Sequence, residues 1–466
     1  MYQIDFSAPI HIHFIGIGGI SMSGFARLLH SMGFTISGSD PNESDITDEL
    51  ASLGIKVIYE QSAHNITDDI DLVVYTAAIH PDNPEFAAAK QAGIPMMDRA
   101  EMVGQVMKNY PNAIAVSGTH GKTTTTSMLS DIFLKAGLDP TISVGGILKE
   151  INGNLRIGKS GNFITEACEY TNSFLKFHPT ASIILNIDAD HLDFFKDLAD
   201  IRSSFHKFAS LLPEKDGILV INGTIPNIGE ITSSLSCRII TYGLFDERMD
   251  EKPFDYEASD ISFNEQGHGS FTLTERGTVL GRIQLNVVGI HNISNALAAI
   301  ALSRQYEISF DALAEGLSTF HGTNRRFEYK GSVAGITVID DYAHHPTEIK
   351  ATLTAARKYP HKTLWCVFQP HTYSRTKALL DDFAEALSLA DKVVLADIYA
   401  AREKDPGDIS SLDLKKKLEE LGCECYCPGS FDEILDFLLL ECSAPDLLIT
   451  MGAGDIVNIG TMLLGN

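Results

Sequence analysis

An apolar segment that runs into a glycine-rich turn and then into a helix constrains this chain more than any other feature. Residues 114–123 have the sequence Ile-Ala-Val-Ser-Gly-Thr-His-Gly-Lys-Thr, and Met128, Leu129, Ile132 and Phe133 follow at helical spacing. Glycines let backbone N–H groups approach phosphate oxygens, and a helix N-terminus adds the positive end of its dipole. The segment therefore predicts a strand, a phosphate-binding loop and a helix, with a nucleoside triphosphate as the ligand.

The residue types at the end of this loop predict specific contacts with ATP. Lys122 is expected to reach the β- and γ-phosphates, and the Thr123 hydroxyl is expected to ligate Mg²⁺. The loop is a shortened variant, because Val116 stands where a further glycine is usual. A turn that only links a strand to a helix would not require Gly-Lys-Thr here. The predicted ATP-binding residues of the loop are Gly118, Thr119, His120, Gly121, Lys122 and Thr123.

The length of 466 residues exceeds what one hydrophobic core usually supports, so three domains are expected, at residues 1–109, 110–322 and 323–466. The chain is 44% hydrophobic but has no apolar run long enough to span a bilayer. Its N-terminus lacks the basic stretch and apolar core of a signal peptide. A cytoplasmic protein with reduced cysteines is therefore expected.

The charge balance bears on the choice of partner. The chain has 36 basic and 61 acidic residues, for a net charge of -25, which argues against nucleic acid because phosphate backbones require a basic surface. Neither nucleic acid nor a membrane is an expected partner, and a monomer or weak homodimer is expected. The same charge would repel ATP unless basic groups are concentrated in the cleft, and Lys122, Arg325, Arg326 and Arg375 are candidates.

Three of the seven cysteines lie at alternate positions, in the run Cys423-Glu-Cys425-Tyr-Cys427. Alternate residues of a strand share one face, whereas zinc sites usually have two-residue gaps and a distant second pair. This run therefore predicts a strand and not a metal site.

The first segment has the pattern of a Rossmann-type βαβ unit. A strand at 12–15 leads into Gly-Ile-Gly-Gly at 16–19, a helix, and a second strand that ends at Ser39-Asp40. By spacing, Asp40 lies where such folds place an acid on a ribose hydroxyl. The glycines at 16–19 and Asp40 leave an NAD-dependent oxidoreductase open as an alternative, but Ser21 at the third glycine position weakens the dinucleotide fingerprint.

Alternation of strand and helix continues through the other two segments. In the second, apolar strands end in polar residues that are expected to face one cleft, and the stretch from about Cys237 to Val288 is expected to be antiparallel and peripheral. The third has strands at 336–339, 364–368, 392–395 and 447–450. The predicted fold class is α/β, with a Rossmann-like N-terminal domain, a central P-loop ATPase-type domain with a mostly parallel sheet, and a C-terminal Rossmann-like doubly wound domain.

Five blocks of residues, taken together, resemble the Mur ligase family. They are Gly-Thr-His-Gly-Lys-Thr-Thr at 118–124, His-Asn-Ile-Ser-Asn at 291–295, Arg-Arg-Phe at 325–327, Asp-Asp-Tyr-Ala-His-His-Pro at 340–346 and Gln-Pro-His-Thr-Tyr-Ser-Arg at 369–375. The resemblance covers essentially the whole chain, and the blocks are specific in combination and not singly. It implies an ATP-dependent ligase that binds a UDP-sugar, ATP and an amino acid.

Within the family, residues 16–19, 340–346 and 399–403 imply the activity that joins L-alanine to the lactyl carboxylate of UDP-N-acetylmuramate, the first step of peptidoglycan stem-peptide assembly. In the implied reaction, ATP phosphorylates this carboxylate and the alanine amine then attacks the acyl phosphate to give an amide. Catalysis of phosphoryl transfer is mostly positioning and charge neutralisation. The nearest alternative is a ligase that attaches a recycled tripeptide to the same sugar nucleotide.

The resemblance also implies roles for single residues. Thr123 and Glu166 would hold Mg²⁺, and His191 would serve a second metal, although imidazole is a soft partner for Mg²⁺. Asn292 and Asn295 would bind adenine. The predicted catalytic residues are Lys122, Glu166, His191, Arg326, His344 and Arg375; Thr124 and Asp341 join the nucleotide site, and Tyr342 and His371 join the amino-acid pocket. The predicted UDP-sugar residues are Gly16, Gly18, Gly19, Ser39, Asp40, Thr76, Ala77, Asn83 and Arg99.

Three positions depart from the pattern of the family. Ser21 replaces a glycine of the first nucleotide loop, Cys168 stands where many relatives have Asp, and Thr372 stands where some have Arg. None of the three is predicted to activate ATP. A non-catalytic nucleotide-binding scaffold is a third alternative, which the retained ATP-activating residues disfavour.

Overall fold

The computed structural model describes residues 2–76, 79–151, 153–247, 253–401 and 403–465. Three sheets of five, ten and six strands follow one another along these residues. The predicted domain boundaries, after residues 109 and 322, fall between the sheets. Ala77, a predicted substrate residue, and Arg402, in the block at 399–403, lie outside the described residues.

The N-terminal sheet is fully parallel. Its strands are β1 (His11–Ile15), β2 (Thr35–Ser39), β3 (Lys56–Ile58), β4 (Leu72–Tyr75) and β5 (Met96–Asp98), and its helices are α1 (Ile20–Ser31), α2 (Asp45–Ser52), α3 (Pro84–Ala92) and α4 (Arg99–Met107). The strand order 3-2-1-4-5 puts β1 at the centre, where the connections change direction. The glycine turn after β1 therefore lies at the position where such sheets bind ligands.

The central sheet has ten strands. They are β6 (Asn112–Ser117), β7 (Thr141–Leu148), β8 (Gly153–Arg156), β9 (Asn162–Glu166), β10 (Ala181–Ile184), β11 (Ile218–Asn222), β12 (Arg238–Leu244), β13 (Tyr256–Phe263), β14 (His268–Glu275) and β15 (Thr278–Val288). The helices are α5 (Lys122–Lys135), α6 (Leu198–Ala209), α7 (Gly229–Thr232), α8 (Ile290–Ser303) and α9 (Phe310–Thr319). The predicted strand, loop and helix are thus β6, the turn at 118–121, and α5, in which Met128, Leu129, Ile132 and Phe133 are buried.

The prediction of an antiparallel region from Cys237 to Val288 is wrong for its first part. β12 pairs parallel with β11, and β13 pairs parallel with β12, whereas only β14 and β15 add antiparallel hairpins. The alternation that supported the prediction is present, for example in β14, where buried residues alternate with partly buried ones. Alternation indicates that one face of a strand is buried, but it does not indicate strand direction.

The C-terminal sheet has the order β16-β17-β21-β18-β19-β20 and is parallel except for its first edge strand. The strands are β16 (Glu328–Val333), β17 (Ile336–Asp341), β18 (Leu364–Phe368), β19 (Lys392–Leu395), β20 (Glu424–Tyr426) and β21 (Leu447–Met451). The helices are α10 (Pro346–Ala356), α11 (Tyr373–Ala378), α12 (Leu380–Leu387), α13 (Ser411–Glu420), α14 (Phe431–Glu441) and α15 (Val457–Leu463). Helices cover both faces of this sheet, so it has two apolar layers.

Two absences concern the described residues alone. They contain no group of three or more His, Cys, Asp or Glu side chains placed to hold a metal ion. The run from Cys423 to Cys427 lies in and beside β20, and Cys425 is buried. The described residues also contain no helix with the length and hydrophobicity needed to cross a membrane.

Side chains connect the N-terminal and central domains. Nδ2 of Asn154 on β8 donates to the carbonyl of Ile20 at 2.8 Å, at the start of α1. Lys176 pairs with Asp98 and lies 3.4 Å from Glu101, at the junction of β5 and α4. These contacts place the glycine turn of the first domain beside the central domain.

Candidate active site

The phosphate loop has a conformation that glycine favours. Gly118 and Gly121 have φ angles of 143° and 83°, and a Cβ atom on Gly121 would lie 2.6 Å from Oδ1 of Asn295. The loop therefore packs closely against α8. Asn186, after β10, fastens the loop, because its Oδ1 accepts from the His120 N–H at 2.8 Å and its Nδ2 donates to the His120 carbonyl at 3.0 Å.

Lys122 is surrounded by oxygen atoms. Its Nζ lies 2.5 Å from the Gly118 carbonyl, 3.0 Å from the Thr119 carbonyl, and 3.0 and 3.4 Å from the two carboxylate oxygens of Glu169. Burial disfavours the charged ammonium, but the surrounding acidic groups, Glu169 foremost, together outweigh burial, so the pKa of Lys122 is raised. Lys122 is thus a fixed cation at the N-terminus of α5.

Thr123 and Glu166, the two predicted oxygen ligands of Mg²⁺, are in contact. The Thr123 hydroxyl donates to Oε2 of Glu166 at 3.1 Å, and the Gly145 N–H donates to Oε1 at 2.6 Å. Mg²⁺ prefers hard oxygen ligands and commonly binds one or two carboxylates together with substrate phosphates. A hydroxyl and a carboxylate beside a phosphate loop therefore fit Mg²⁺.

His191 lies beside the same loop but contacts other carboxylates. Its backbone is left-handed, with φ of 53°, and its ring centroid lies 4.5 Å from that of Tyr170. Nε2 lies 3.8 Å from Oε1 of Glu169 and 3.7 Å from Oδ2 of Asp190. Burial lowers the pKa of His191, and the two carboxylates offset this only in part. The ring is therefore neutral near pH 7, the form that ligates metals.

Asp190 connects the central and C-terminal domains. Its Oδ1 accepts from Nε and Nη2 of Arg375 at 3.2 and 3.1 Å, and from the His191 N–H at 2.7 Å. The side chains of Asp190 and Arg375 are only 8% and 12% exposed. Burial favours the neutral acid, but Arg375, the neighbouring histidines and the His191 N–H together outweigh burial, so the pKa of Asp190 lies below its usual value.

His120 forms a second connection between these domains. Its Nδ1 lies 3.3 Å from Oε1 of Glu348 on α10, and its Nε2 lies 3.3 Å from Oδ2 of Asp188. Burial lowers the pKa of His120, but the two carboxylates outweigh it and raise the pKa to about 9. His120 is therefore a cation between two domains at neutral pH.

A cavity of about 230 Å³ extends from the loop between the central and C-terminal domains. Six predicted nucleotide residues line it, namely His120, Gly121, Thr124, Asn292, Asn295 and Asp341. Nδ2 of Asn295 donates to Oδ1 of Asn292 at 3.0 Å, and Nδ2 of Asn292 donates to the Val288 carbonyl at 2.8 Å. Burial raises the pKa of Asp341 to about 6. The two amides are thus held in fixed orientations at a cavity wall.

A second cavity of about 230 Å³ adjoins the pair of Asp190 and Arg375. Tyr342, His344 and His371, the residues predicted to surround the amino acid, line it. The ring centroids of His344 and His371 lie 5.6 Å apart, and Nη1 of Arg375 lies 3.2 Å from Nδ1 of His371. Burial lowers the pKa of His344 to about 4, so this ring is neutral at pH 7.

A smaller cavity of about 150 Å³ lies between these two and shares lining residues with both. Its lining residues are Thr119, His120, Gly121, Lys122, Thr123, Asp190, His191, Arg326, His344 and Glu348. The three cavities therefore lie side by side in an order that suits a nucleoside, its phosphates and an acceptor.

The neighbouring arginines Arg325 and Arg326 face different surroundings. Arg325 has φ of 62°, and its guanidinium contacts Asp340 at 2.9 Å and two backbone carbonyls after β21 at 2.7 and 3.1 Å. Arg326 lines the nucleotide and phosphate cavities and lies 3.8 Å from Glu348. The Tyr342 ring is 5.0 and 5.2 Å from the two guanidiniums. Arg325, a candidate for the basic cleft, thus holds the C-terminal domain together, and Arg326 faces the cleft.

The glycine turn after β1 is closed by Asp40. The Gly18 N–H donates to Oδ2 of Asp40 at 3.0 Å, and a Cβ atom on Gly18 would lie 2.8 Å from that oxygen. Gly16 has φ of 84°, and the N–H groups of Gly16 and the next residue donate to the Ser39 carbonyl at 2.8 and 2.9 Å. Gly19 precedes α1 as its N-cap. The predicted glycines and Asp40 are thus brought together.

Thr76 and Arg99 also border this turn. Cγ2 of Thr76 lies 3.0 Å from a Cβ atom built on Gly16, and Nη1 of Arg99 donates to the Ser21 hydroxyl at 3.1 Å. Ser21 stands at a position where a glycine is expected, and its hydroxyl therefore orients Arg99, a predicted substrate residue.

Asn83 and Ser39 have structural partners for their side chains. Oδ1 of Asn83 caps α3 by accepting from the N–H groups of residues 85 and 86. The Ser39 hydroxyl is fully buried and donates to Oε2 of Glu85 at 2.5 Å. The structure therefore connects Ser39 to the glycine turn through its backbone carbonyl and not through its hydroxyl.

The other two departures from the family pattern border the site. Burial raises the pKa of the Cys168 thiol, and the positive charge of the neighbouring Lys122 offsets this increase only in part. The Cys168 side chain is therefore a protonated thiol at pH 7. Thr372 lines the second cavity, with φ of 67°, and its N–H donates to the Tyr399 carbonyl at 2.9 Å. Its backbone is therefore held by the loop that follows β19.

Sequence reasoning did not assign several residues at the centre of the site. These are Glu169, Asn186, Asp188, Asp190 and Glu348. Three of them follow β10, and polar residues at the end of a parallel strand were a usable signal, since such ends meet at one edge of a sheet. The contact of Glu169 with Lys122 and that of Glu348 with His120 join residues that are distant in sequence, so no local pattern indicates them.

Three family models match the chain in order. The models are Mur ligase family, catalytic domain, at residues 11–111; Mur ligase middle domain, at 116–303; and Mur ligase, glutamate ligase domain, at 325–454. The first match ends and the third begins between two sheets, whereas the second begins within β6.

Curated relatives match over the whole length. UDP-N-acetylmuramate–L-alanine ligase of Agathobacter rectalis is 61% identical and that of Lachnoclostridium phytofermentans is 58% identical, each with full coverage of both chains. The crystal structure of UDP-N-acetylmuramate-alanine ligase MurC from Thermotoga maritima has a TM-score of 0.80 at 31% identity, with 98% of each chain covered. A murein peptide ligase from Psychrobacter arcticus has a TM-score of 0.70 at 24% identity, a level that shows only the shared fold.

Proposed function

Because the chain belongs to the Mur ligase family, we propose that it joins L-alanine to UDP-N-acetylmuramate, with conversion of ATP to ADP and phosphate. The observation that carries this function is the identity of 61% to a ligase of that name over the full length of both chains. The alternatives of an NAD-dependent oxidoreductase and a tripeptide-recycling ligase have no comparable support.

In this proposal the central domain supplies most of the groups that bind ATP, and the C-terminal domain supplies Asp341. Asn292 and Asn295 offer amide donors and acceptors suited to adenine, and Asp341 lies in the same cavity for the ribose. Lys122 and the N-terminus of α5 neutralise the phosphates. A γ-phosphate in the neighbouring cavity would lie next to the acceptor cavity, as transfer to a carboxylate requires.

Thr123 and Glu166 would hold Mg²⁺ beside the phosphate loop, where it would supply charge neutralisation for phosphoryl transfer. His191 lines both the phosphate cavity and the acceptor cavity. It is therefore proposed to serve a second metal ion near the acyl phosphate. Arg326 faces the phosphate cavity, where a guanidinium suits the charge on the transferred group.

The glycine turn of the N-terminal domain is proposed to bind the diphosphate of the sugar nucleotide. Gly16, Gly18 and Gly19 form this turn at the N-terminus of α1, and Asp40 and Arg99 lie beside it. Helix N-termini with glycine turns favour phosphate groups. Thr76 and Asn83 flank the same edge of the sheet.

The C-terminal domain is proposed to bind L-alanine. His344 and His371 face the second cavity with Tyr342, and the neutral form of His344 suits the approach of an amine. Arg375 offers a guanidinium for the alanine carboxylate. Two contacts between domains, that of Arg375 with Asp190 and that of His120 with Glu348, hold this domain over the phosphate cavity. Water would then be excluded, which would protect an acyl phosphate from hydrolysis. ATP and the sugar nucleotide are cytosolic metabolites, so the reaction is proposed to occur in the cytosol.

The test is phosphate release from ATP and Mg²⁺ with UDP-N-acetylmuramate, with and without L-alanine, and with the product mass determined. Phosphate release that depends on L-alanine, with a product of amide mass, is the expected result. Turnover with a tripeptide but not with L-alanine would instead identify the recycling activity.

A further inference from the structure

Glu169 has contacts that none of the roles above uses. It follows β9 by three residues and is 2% exposed. Its carboxylate lies 3.0 Å from Nζ of Lys122 and 3.8 Å from Nε2 of His191. One buried carboxylate therefore contacts both the cation of the phosphate loop and the imidazole next to the acceptor cavity, whereas Glu166 contacts Thr123.

The surroundings of Lys122 leave no donor for a nucleotide. An ammonium group has three N–H donors. In this structure they face the Gly118 carbonyl, the Thr119 carbonyl and the Glu169 carboxylate. A phosphate oxygen must therefore replace one of these acceptors before Lys122 can contact it.

Glu169 is the acceptor that a phosphate replaces most readily. The two carbonyls belong to the loop itself, whose shape is fixed by its glycines and by Asn186. The Glu169 side chain can rotate, and it is an anion that a phosphate resembles in charge. It also has a second partner within reach, since Nε2 of His191 lies 3.8 Å from Oε1.

We propose that Glu169 is a positioning residue that serves as the counter-ion of Lys122 in the nucleotide-free enzyme and turns to His191 when the polyphosphate takes its place. In the second state its carboxylate accepts from the Nε2–H of His191. This fixes the tautomer, with Nδ1 as the unprotonated nitrogen, an effect that carboxylates commonly have on metal-binding histidines. The inference rests on the proposed function only for the identity of the nucleotide.

Glu169→Gln tests the exchange because glutamine has the same shape without the charge. By calorimetry with ADP or ATP, without Mg²⁺, UDP-sugar or alanine, nucleotide affinity is expected to rise about tenfold, since a competing charged acceptor is lost. In the full reaction, KM for ATP is expected to fall while kcat also falls by about tenfold or more, because His191 loses its charged partner. KM for the sugar nucleotide should not change.

The matched control is Glu214→Gln, which removes one charge from an exposed position of the same domain and should leave every parameter unchanged. Glu169→Asp keeps the charge on a shorter side chain, so its nucleotide affinity should equal that of the wild type while its kcat falls. This variant provides the test if the glutamine variant does not fold. Unchanged or weaker nucleotide binding by Glu169→Gln overturns the proposal. Because calorimetry involves no ligation, such a result is distinct from a failure of the proposed reaction.

Discussion

Oδ1 of Asp190 in the central domain lies 3.1 Å from Nη2 of Arg375 in the C-terminal domain. Both side chains are nearly buried, and the same carboxylate oxygen also accepts from the His191 N–H. The contact thus connects the histidine of the phosphate side to the domain that lines the acceptor cavity.

Arg375→Ala is expected to lower kcat/KM for L-alanine by about 100-fold or more, since removal of one partner of a buried ion pair leaves the other charge uncompensated, at a cost of about 3 kcal/mol. When Asp190→Asn is added to the Arg375→Ala variant, it should lower kcat/KM for L-alanine much less than it does in the wild type. The measurement is a double-mutant cycle on kcat/KM. Effects that add to within about 0.5 kcal/mol would show that the two side chains do not act as a pair.

Lys122→Ala is expected to reduce phosphate release by about 1,000-fold, because loss of one fixed positive group at a reacting site typically costs a factor of that order. Binding of UDP-N-acetylmuramate, measured by calorimetry, should remain, since the glycine turn that is proposed to hold it lies in another domain. Normal ligation by this variant would remove Lys122 from the catalytic assignment.

The contact of His120 with Asp188 and Glu348 predicts a pH dependence of stability. The pKa of His120 is raised from 6.5 to about 9 in the folded protein, so its stabilising contribution is complete below pH 6.5 and is lost as the pH rises through 9. The difference in unfolding free energy between wild type and His120→Asn should therefore shrink by about 3 kcal/mol over that range. Chemical unfolding at several pH values measures it.

His64→Asn is a suitable control for this experiment, because His64 is exposed and lies in the N-terminal domain. Its stability profile should follow that of the wild type. If His120→Asn and the wild type lose stability in parallel from pH 6.5 to 9, the ion contacts of His120 do not stabilise the fold.

The parts of the site that sequence reasoning located are those in which a local pattern has a local cause. Lys122 and Thr123 follow glycines at the N-terminus of α5, and a strand, a turn and a helix within some twenty residues determine their positions. Asp40 likewise reaches the glycine turn through one βαβ unit. Here the chemistry and the fold depend on the same short segment.

The residues that were not found depend on contacts between distant segments. Glu348 is an ordinary acidic residue in the first turn of a helix, where it also favours the helix dipole, and only the arrangement of the domains places it against His120. The parallel pairing of β12 and β13 was missed for a related reason. Strand direction depends on how the connecting chain crosses the sheet, which alternation of side chains does not encode.

Removal of the carboxylate that contacts Thr123 is expected to change the metal requirement of the enzyme. Oε2 of Glu166 accepts from the Thr123 hydroxyl at 3.1 Å, and the two oxygens together fit Mg²⁺. Glu166→Gln should raise the Mg²⁺ concentration for half-maximal activity by about tenfold or more, because a neutral amide is a weaker ligand than a carboxylate. Thr123→Ala should shift it in the same direction, and excess chelator should abolish activity in the wild type. Nucleotide binding without Mg²⁺ should be retained by Glu166→Gln, which separates a metal role from damage to the loop. An unchanged Mg²⁺ requirement in both variants would exclude this pair as the metal site.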